Sequence, residues 1–194
     1  MKKNEPANKD KELVRNILEE DRNIFRELIN RYEKLVIHVV YGMLPNKSDL
    51  DDICQDVFIK VYENLDRFNF QAKLSTWIAR IAYNTTLNFL AKRKYGLYED
   101  LENFENDPAI AKNASESPAV WTEKRESAEI LRRELEKIPA RYGTILSLYH
   151  MEEMSYHEIG EILNLPEGTV KNYLYRARKM LKERLEKQFE RKEL

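Results

Sequence analysis

Between Ser155 and Lys182 the chain specifies one piece of structure almost residue by residue, and that piece limits what the rest can be. Ser155 with Glu158 three positions on is a capping box: hydroxyl and carboxylate each satisfy a backbone N–H that the first turn of a helix leaves unpaired. Ile159, Ile162 and Leu163 then recur at helical spacing, so a short helix starts here. Asn164 tolerates left-handed backbone and can end it, and the run to Gly168 turns the chain. Val170, Leu174, Ala177, Leu181 and Leu185 mark the stripe of a second helix. Gly160 would let the two helices cross closely, and Val170 would anchor the second against a core. The result is a helix–turn–helix whose outward face carries Thr169, Lys171, Asn172, Tyr175, Arg176 and Lys179, side chains suited to phosphates and base edges in a major groove.

The remainder reads as helix too. Gly is scarce at 5 and Pro at 6 in 194 residues, so turn-rich sheets are excluded in favour of an all-α fold. Leu13 to Leu18 and Ile24 to Val36 give two opening helices. Leu50, Ile53, Val57, Phe58, Val61, Tyr62 and Leu65 form the stripe of a third, with Ser48 and Asp51 as its expected capping box. A loop from Arg67 to Lys73 precedes a fourth helix, capped by Ser75 or Thr76 and ending in the basic run Lys92, Arg93, Lys94. Gly96 to Ser117 has no apolar period and reads as a linker, after which Ser117-Pro118 restarts helix. Val120, Trp121, Ile130, Leu131, Leu135 and Ile138 are expected to face a core, and Pro139 opens the next helix. The division that follows is a domain over 1–95, an acidic linker over 96–118 and a second domain over 119–194.

The net charge of −1 conceals an uneven distribution. Glu99 to Pro118 holds six acids against one base, whereas Gly168 to Lys182 holds five bases and no acid. A basic recognition helix and an acidic tether serve different partners.

Two further surfaces can carry function. The loop from Arg67 to Lys73 combines Phe68, Asn69 and Phe70 with the helix face of Arg80, Asn84 and Asn88, and aromatics beside amides suit an unstacked base. Taken alone, Phe68 and Phe70 are equally suited to a core, and Trp77 and Tyr83 are expected to pack. Asp51, Asp52, Gln55, Asp56 and Lys60 line the polar side of the third helix, a face that by itself signals only solvation. Enzyme chemistry finds no support: His38, His150 and His157 are too scattered for a metal motif, and neither a phosphate loop nor a nucleophile elbow occurs. No cofactor or metal is therefore expected. The single Cys54 excludes an internal disulfide, and no apolar run reaches the ~20 residues of a membrane span, so a reducing, cytoplasmic setting is expected.

Asp52-Ile53-Cys54-Gln55-Asp56-Val57-Phe58, then Phe68 and Trp77 to Asn84, resemble the second region of extracytoplasmic-function sigma factors, subunits that direct bacterial RNA polymerase to promoters. Ser155 to Leu163, Pro166 to Lys171 and Arg176-Ala177-Arg178 resemble the fourth region of that family. The resemblance implies that Asp52, Gln55, Asp56 and Phe58 dock on core polymerase. It implies that Phe68, Asn69, Lys73, Arg80, Asn84 and Asn88 melt and read the start-proximal promoter element, and that the face from Thr169 to Lys179 reads the upstream one. It also implies an anti-sigma partner. Tyr173 stands where the family commonly has Arg, and Gly160 where it has Ala. The rival class is an operator-binding repressor, which shares the helix–turn–helix but needs a dimerisation surface that these residues do not supply.

Overall fold

The computed structural model describes residues 5–19, 22–44, 46–92 and 123–190, and all its regular elements are helical. The expected linker 96–118, Ser117-Pro118, Val120, Trp121, Arg93 and Lys94 lie outside the described residues.

The N-terminal half is built around α2 (Arg22–Met43), which buries Leu28, Leu35, Val36, Val39, Val40 and Met43 on one stripe. α1 (Glu5–Leu18) covers one side with Leu13, Val14 and Ile17, and is fixed there by Asp10. That carboxylate accepts from Arg31 at 3.1 Å and from the Tyr32 hydroxyl at 3.0 Å. α3 (Leu50–Asn64) and α4 (Leu74–Lys92) complete the bundle. Lys47 folds back onto the end of α2 and donates to the carbonyls of Tyr41 at 2.5 Å and Leu44 at 2.7 Å; burial pulls its pKa down to about 8.

Two expected helix starts differ. Ser48 and Asp51 make no capping box, because a 3-10 turn over Lys47–Asp49 precedes α3 and is capped instead by Asn46, whose side chain accepts from the Ser48 amide at 3.0 Å. Ser75 and Thr76 do not cap α4, which already begins at Leu74 and buries Thr76 in its first turn.

The C-terminal half comprises α5 (Glu123–Glu136), α6 (Ala140–His150), α7 (Tyr156–Leu163) and α8 (Glu167–Glu190). Ile138, just past α5, joins the core as expected, but Leu131 is exposed, because the α5 surface turned inward is that of Glu134 and Leu135.

The two halves share more than a tether. α2 packs on α6 and α4 on α7, and the buried apolar residues of both halves form one continuous core. α2 and α6 approach closely where Gly42 faces Thr144: a Cβ on Gly42 would stand 3.3 Å from Thr144 Oγ1 and 3.6 Å from its Cα. From α2, His38 bonds to Glu152 and the Tyr41 hydroxyl donates to Glu136, while between the start of α4 and α7 Lys73 pairs with Glu158 at 2.8 Å.

Candidate nucleic-acid interface

The helix–turn–helix is α7 and α8. Both halves of the capping box form: the Ser155 hydroxyl accepts from the Glu158 amide at 3.3 Å, and the Glu158 carboxylate accepts from the Ser155 amide at 2.8 Å. Burial pushes the Glu158 carboxyl up, but the Lys73 ammonium and the two Ser155 donors outweigh it and hold the carboxyl below its ordinary value. Asn164 ends α7 in the left-handed region at φ 54°, ψ 51°. Gly160 serves the turn more than the helix crossing: a Cβ there would lie 2.6 Å from the Leu165 carbonyl oxygen and 3.9 Å from Val170 Cγ2. The turn can therefore fold tightly back on α7.

Val170, Leu174 and Ala177 are buried, which turns the opposite side of α8 to solvent. Lys171, Asn172, Tyr175, Arg176 and Lys179 are exposed, and Thr169 is half-buried at the start of the helix. Tyr175 is 69% exposed, unusual for a large ring without a partner. The sequence-derived reading face is thus brought together. Tyr173 is not part of it. Its ring meets Tyr142 edge-on at 5.5 Å and lies under the Arg141 guanidinium at 5.0 Å, so the departure from the family pattern falls on a side chain that packs.

The second surface is only partly assembled as expected. Arg80, Asn84 and Asn88 are exposed and spaced four residues apart, so they align along one side of α4. Phe68 is buried, and this corrects its assignment as a ring presented to a base. It sits in the core against Trp77 at 5.2 Å and Phe70 at 4.7 Å, because the backbone after the turn Leu65–Arg67 directs it inward. The ring offered to solvent is Phe70, 42% exposed and held at φ 59°. Asn69 organises the loop, accepting from the Gln71 amide at 3.2 Å. Lys73 is engaged by Glu158 rather than free.

On α3, Asp52, Gln55 and Asp56 are exposed, whereas Phe58 is largely buried and lines the floor of a groove beside them. The exposed apolar groups are its neighbours Ile59 and Tyr62, at 47% and 48%. With Phe25, Ile29, Gln55 and Glu63 they line a shallow groove between α2 and α3. Sequence reading missed Ile59; the signal was an isoleucine on the polar side of an amphipathic helix. Lys60 is not part of a free charged face, since it donates to Thr85 on α4 at 3.2 Å. Burial pushes the Cys54 thiol up to about 11, with Asp51 and Glu33 adding to the effect.

The family described as Sigma-70 region 2 matches residues 28–95, and Sigma-70, region 4 matches 128–181. The extracytoplasmic-function (ECF) RNA polymerase sigma factor SigW of Bacillus subtilis is 32% identical over 179 residues, spanning 90% of this chain and 96% of its own. This chain belongs to the ECF sigma factors. It acts accordingly as a sigma factor in the initiation of transcription. The ECF RNA polymerase sigma-E factor of Escherichia coli K12 is also 32% identical, over 89% of this chain and 92% of its own. Among solved structures, the sigma factor RpoE bound to the anti-sigma factor NepR from Bartonella quintana shares the fold, with TM-score 0.66, 19% identity and coverage of 84% and 96%. CnrH bound to the cytosolic domain of CnrY does so with TM-score 0.62, 20% identity and coverage of 90% and 95%. Among the described residues no helix of this sigma factor is long and apolar enough to cross a membrane.

Proposed function

We propose a division of labour within this sigma factor. Residues 119–194 read the upstream promoter element in duplex form, through Thr169, Lys171, Asn172, Tyr175, Arg176 and Lys179. Residues 1–95 bind core polymerase and capture the start-proximal element as it melts, and 96–118 is the acidic connection between them. The observation that carries this reading is the exposed, acid-free face of α8 set on a fully formed capping box and turn. Arg and Asn at this position of a groove-inserted helix recognise guanine and adenine edges bidentately.

For the melted element, Arg80, Asn84 and Asn88 supply one cation and two amides along a single helix side, and Phe70 supplies the exposed ring. Lys73 joins them once it parts from Glu158. Docking on polymerase falls to Asp52, Gln55 and Asp56, with Ile59 and Tyr62 as the apolar centre. The protein contributes binding energy and no covalent chemistry, and its place of action is the cytoplasm. The RpoE structure of this fold is a complex with the anti-sigma factor NepR, which supports an anti-sigma protein as a further partner.

The test is a pair of substitutions in reconstituted holoenzyme. Arg176→Ala weakens binding to promoters with an intact upstream element by about 1 to 3 kcal/mol and relaxes preference there. Asn84→Ala leaves initial binding intact and lowers permanganate reactivity of the melted strand. Unchanged discrimination in the first variant refutes the upstream assignment; unchanged strand opening in the second refutes the start-proximal one.

A further inference from the structure

Tyr149 at the end of α6 and Tyr156 at the start of α7 lie ring on ring, with centroids 5.2 Å apart and planes 14° from parallel. Each ring carries a cation from α8. Lys171 Nζ stands 5.3 Å from the Tyr156 centroid and Arg178 Cζ 5.1 Å from that of Tyr149. The Tyr149 hydroxyl accepts from Tyr156 and from Arg178, which holds its pKa below the ordinary value. Arg178 Nε donates to His150 Nε2 at 3.2 Å, and burial together with the Arg178 charge lowers the His150 pKa.

Lys171 and Arg178 are therefore ordered by rings, a hydroxyl and an imidazole. Among the described residues no carboxylate pairs with either. Farther along α8 the pattern changes: Lys182 pairs with Glu186 at 3.6 Å and Arg184 with Glu134 at 3.9 Å. A cation resting on a ring keeps its full charge and has already given up rotamer freedom, whereas an ion-paired one must first exchange its carboxylate. Seven residues apart, the two cations sit on one edge of α8 about 10 Å from each other along its axis, and so serve different phosphates. That edge adjoins the reading face, where the phosphate wall of an occupied groove runs.

We propose that Tyr149, Tyr156, Lys171 and Arg178 form a clip for the backbone phosphates of one DNA strand beside the upstream element, with the two tyrosines as positioning residues for the two cations. The proposal rests on α8 being the duplex reader. It assigns Arg178, Tyr149 and Tyr156 to DNA binding and gives Lys171, at the margin of the reading face, a backbone phosphate as its contact.

The full-length chain is titrated by fluorescence anisotropy with a random-sequence duplex, from about 50 to about 200 mM salt, and the slope of log K against log[salt] is read. Arg178→Gln lowers the magnitude of that slope by about 0.9, equally for every sequence. Tyr149→Leu and Tyr156→Leu leave the charges in place, so the slope stays near wild type while affinity falls about two- to fivefold; the Phe variants, which keep the rings, recover most of it. Wild-type affinity and slope in Arg178→Gln, with Arg176→Ala still impaired on promoter DNA, overturn the clip alone. Loss of affinity in the Phe variants equal to that in the Leu variants overturns the ring-held arrangement. If neither Arg176 nor Arg178 affects duplex binding, the assignment of α8 as reader falls with the clip.

Discussion

Glu158 does two jobs in this structure, and substitutions can separate them. Its carboxylate closes the capping box on Ser155 at 2.8 Å, and it reaches across to Lys73 at 2.8 Å. α7 has 8 residues, too few to hold a helix in water without a cap and a packed face. Ser155→Ala removes the acceptor of the Glu158 amide and is expected to cost about 1 kcal/mol. Glu158→Ala removes the reciprocal bond and the cross-link, for about 1 to 2 kcal/mol. Glu158→Gln keeps the reciprocal bond and loses only the ion pair. The Lys73 side chain is 73% exposed, so that loss stays within about 0.5 kcal/mol. The double variant Ser155→Ala/Glu158→Ala costs less than the sum of its parts by at least about 0.5 kcal/mol, since either change alone opens the same box. The sign of the pH dependence follows. A carboxyl held below its ordinary value contributes stability that is complete above the unfolded value of 4.5 and is lost as pH falls through the folded one. Urea unfolding gives the free energies, and hydrogen exchange of the α7 amides shows that the loss is local. Strictly additive costs, or a Gln variant as damaged as the Ala variant, would refute the reasoning.

A methyl group at Gly42 would press on the Thr144 hydroxyl at 3.3 Å in the crossing of α2 on α6, which a small shift of that side chain relieves. Gly42→Ala is expected to be close to neutral and Gly42→Leu to lose about 1 to 3 kcal/mol in thermal unfolding, with equal costs counting against the close approach. The Cys54 thiol, pushed up to about 11, should react with an alkylating reagent at pH 8 about a hundredfold more slowly than the same thiol at its ordinary value of 9.0; free-cysteine kinetics in the native protein would contradict this. Ile59→Glu on the exposed side of α3 should leave the melting temperature unchanged while weakening core-polymerase binding at least tenfold in a competition assay. Retained binding would remove Ile59 from the docking surface.

Where local chemistry decided structure, the sequence was a sufficient guide. The capping box at Ser155, the left-handed Asn164 and the buried stripe from Val170 to Ala177 each follow from a few neighbouring residues, and each occurs in the fold. The face of α8 was legible for the same reason: periodicity places the polar side chains once the stripe is known. Long-range packing decided the rest. Phe68 reads equally well as a reader or a core residue until Trp77 is seen beneath it. Nothing near Ser48 announces that Asn46 would cap an intervening turn. Leu131 fits the helical period, yet the surface of α5 that meets α6 and α8 leaves it outside. The pairing of Lys73 with Glu158, and of the tyrosine rings with Lys171 and Arg178, depends on contacts between elements far apart in the chain that periodicity does not encode.

The most direct test of the account is run-off transcription with purified core polymerase on a library of duplex templates, with and without this protein, at fixed salt. The account predicts defined starts that depend on the protein and share a two-part motif, whose upstream part loses its influence when Arg176 is replaced by Ala. Tight duplex binding with no protein-dependent starts would contradict it and leave the helix–turn–helix to an operator-binding role.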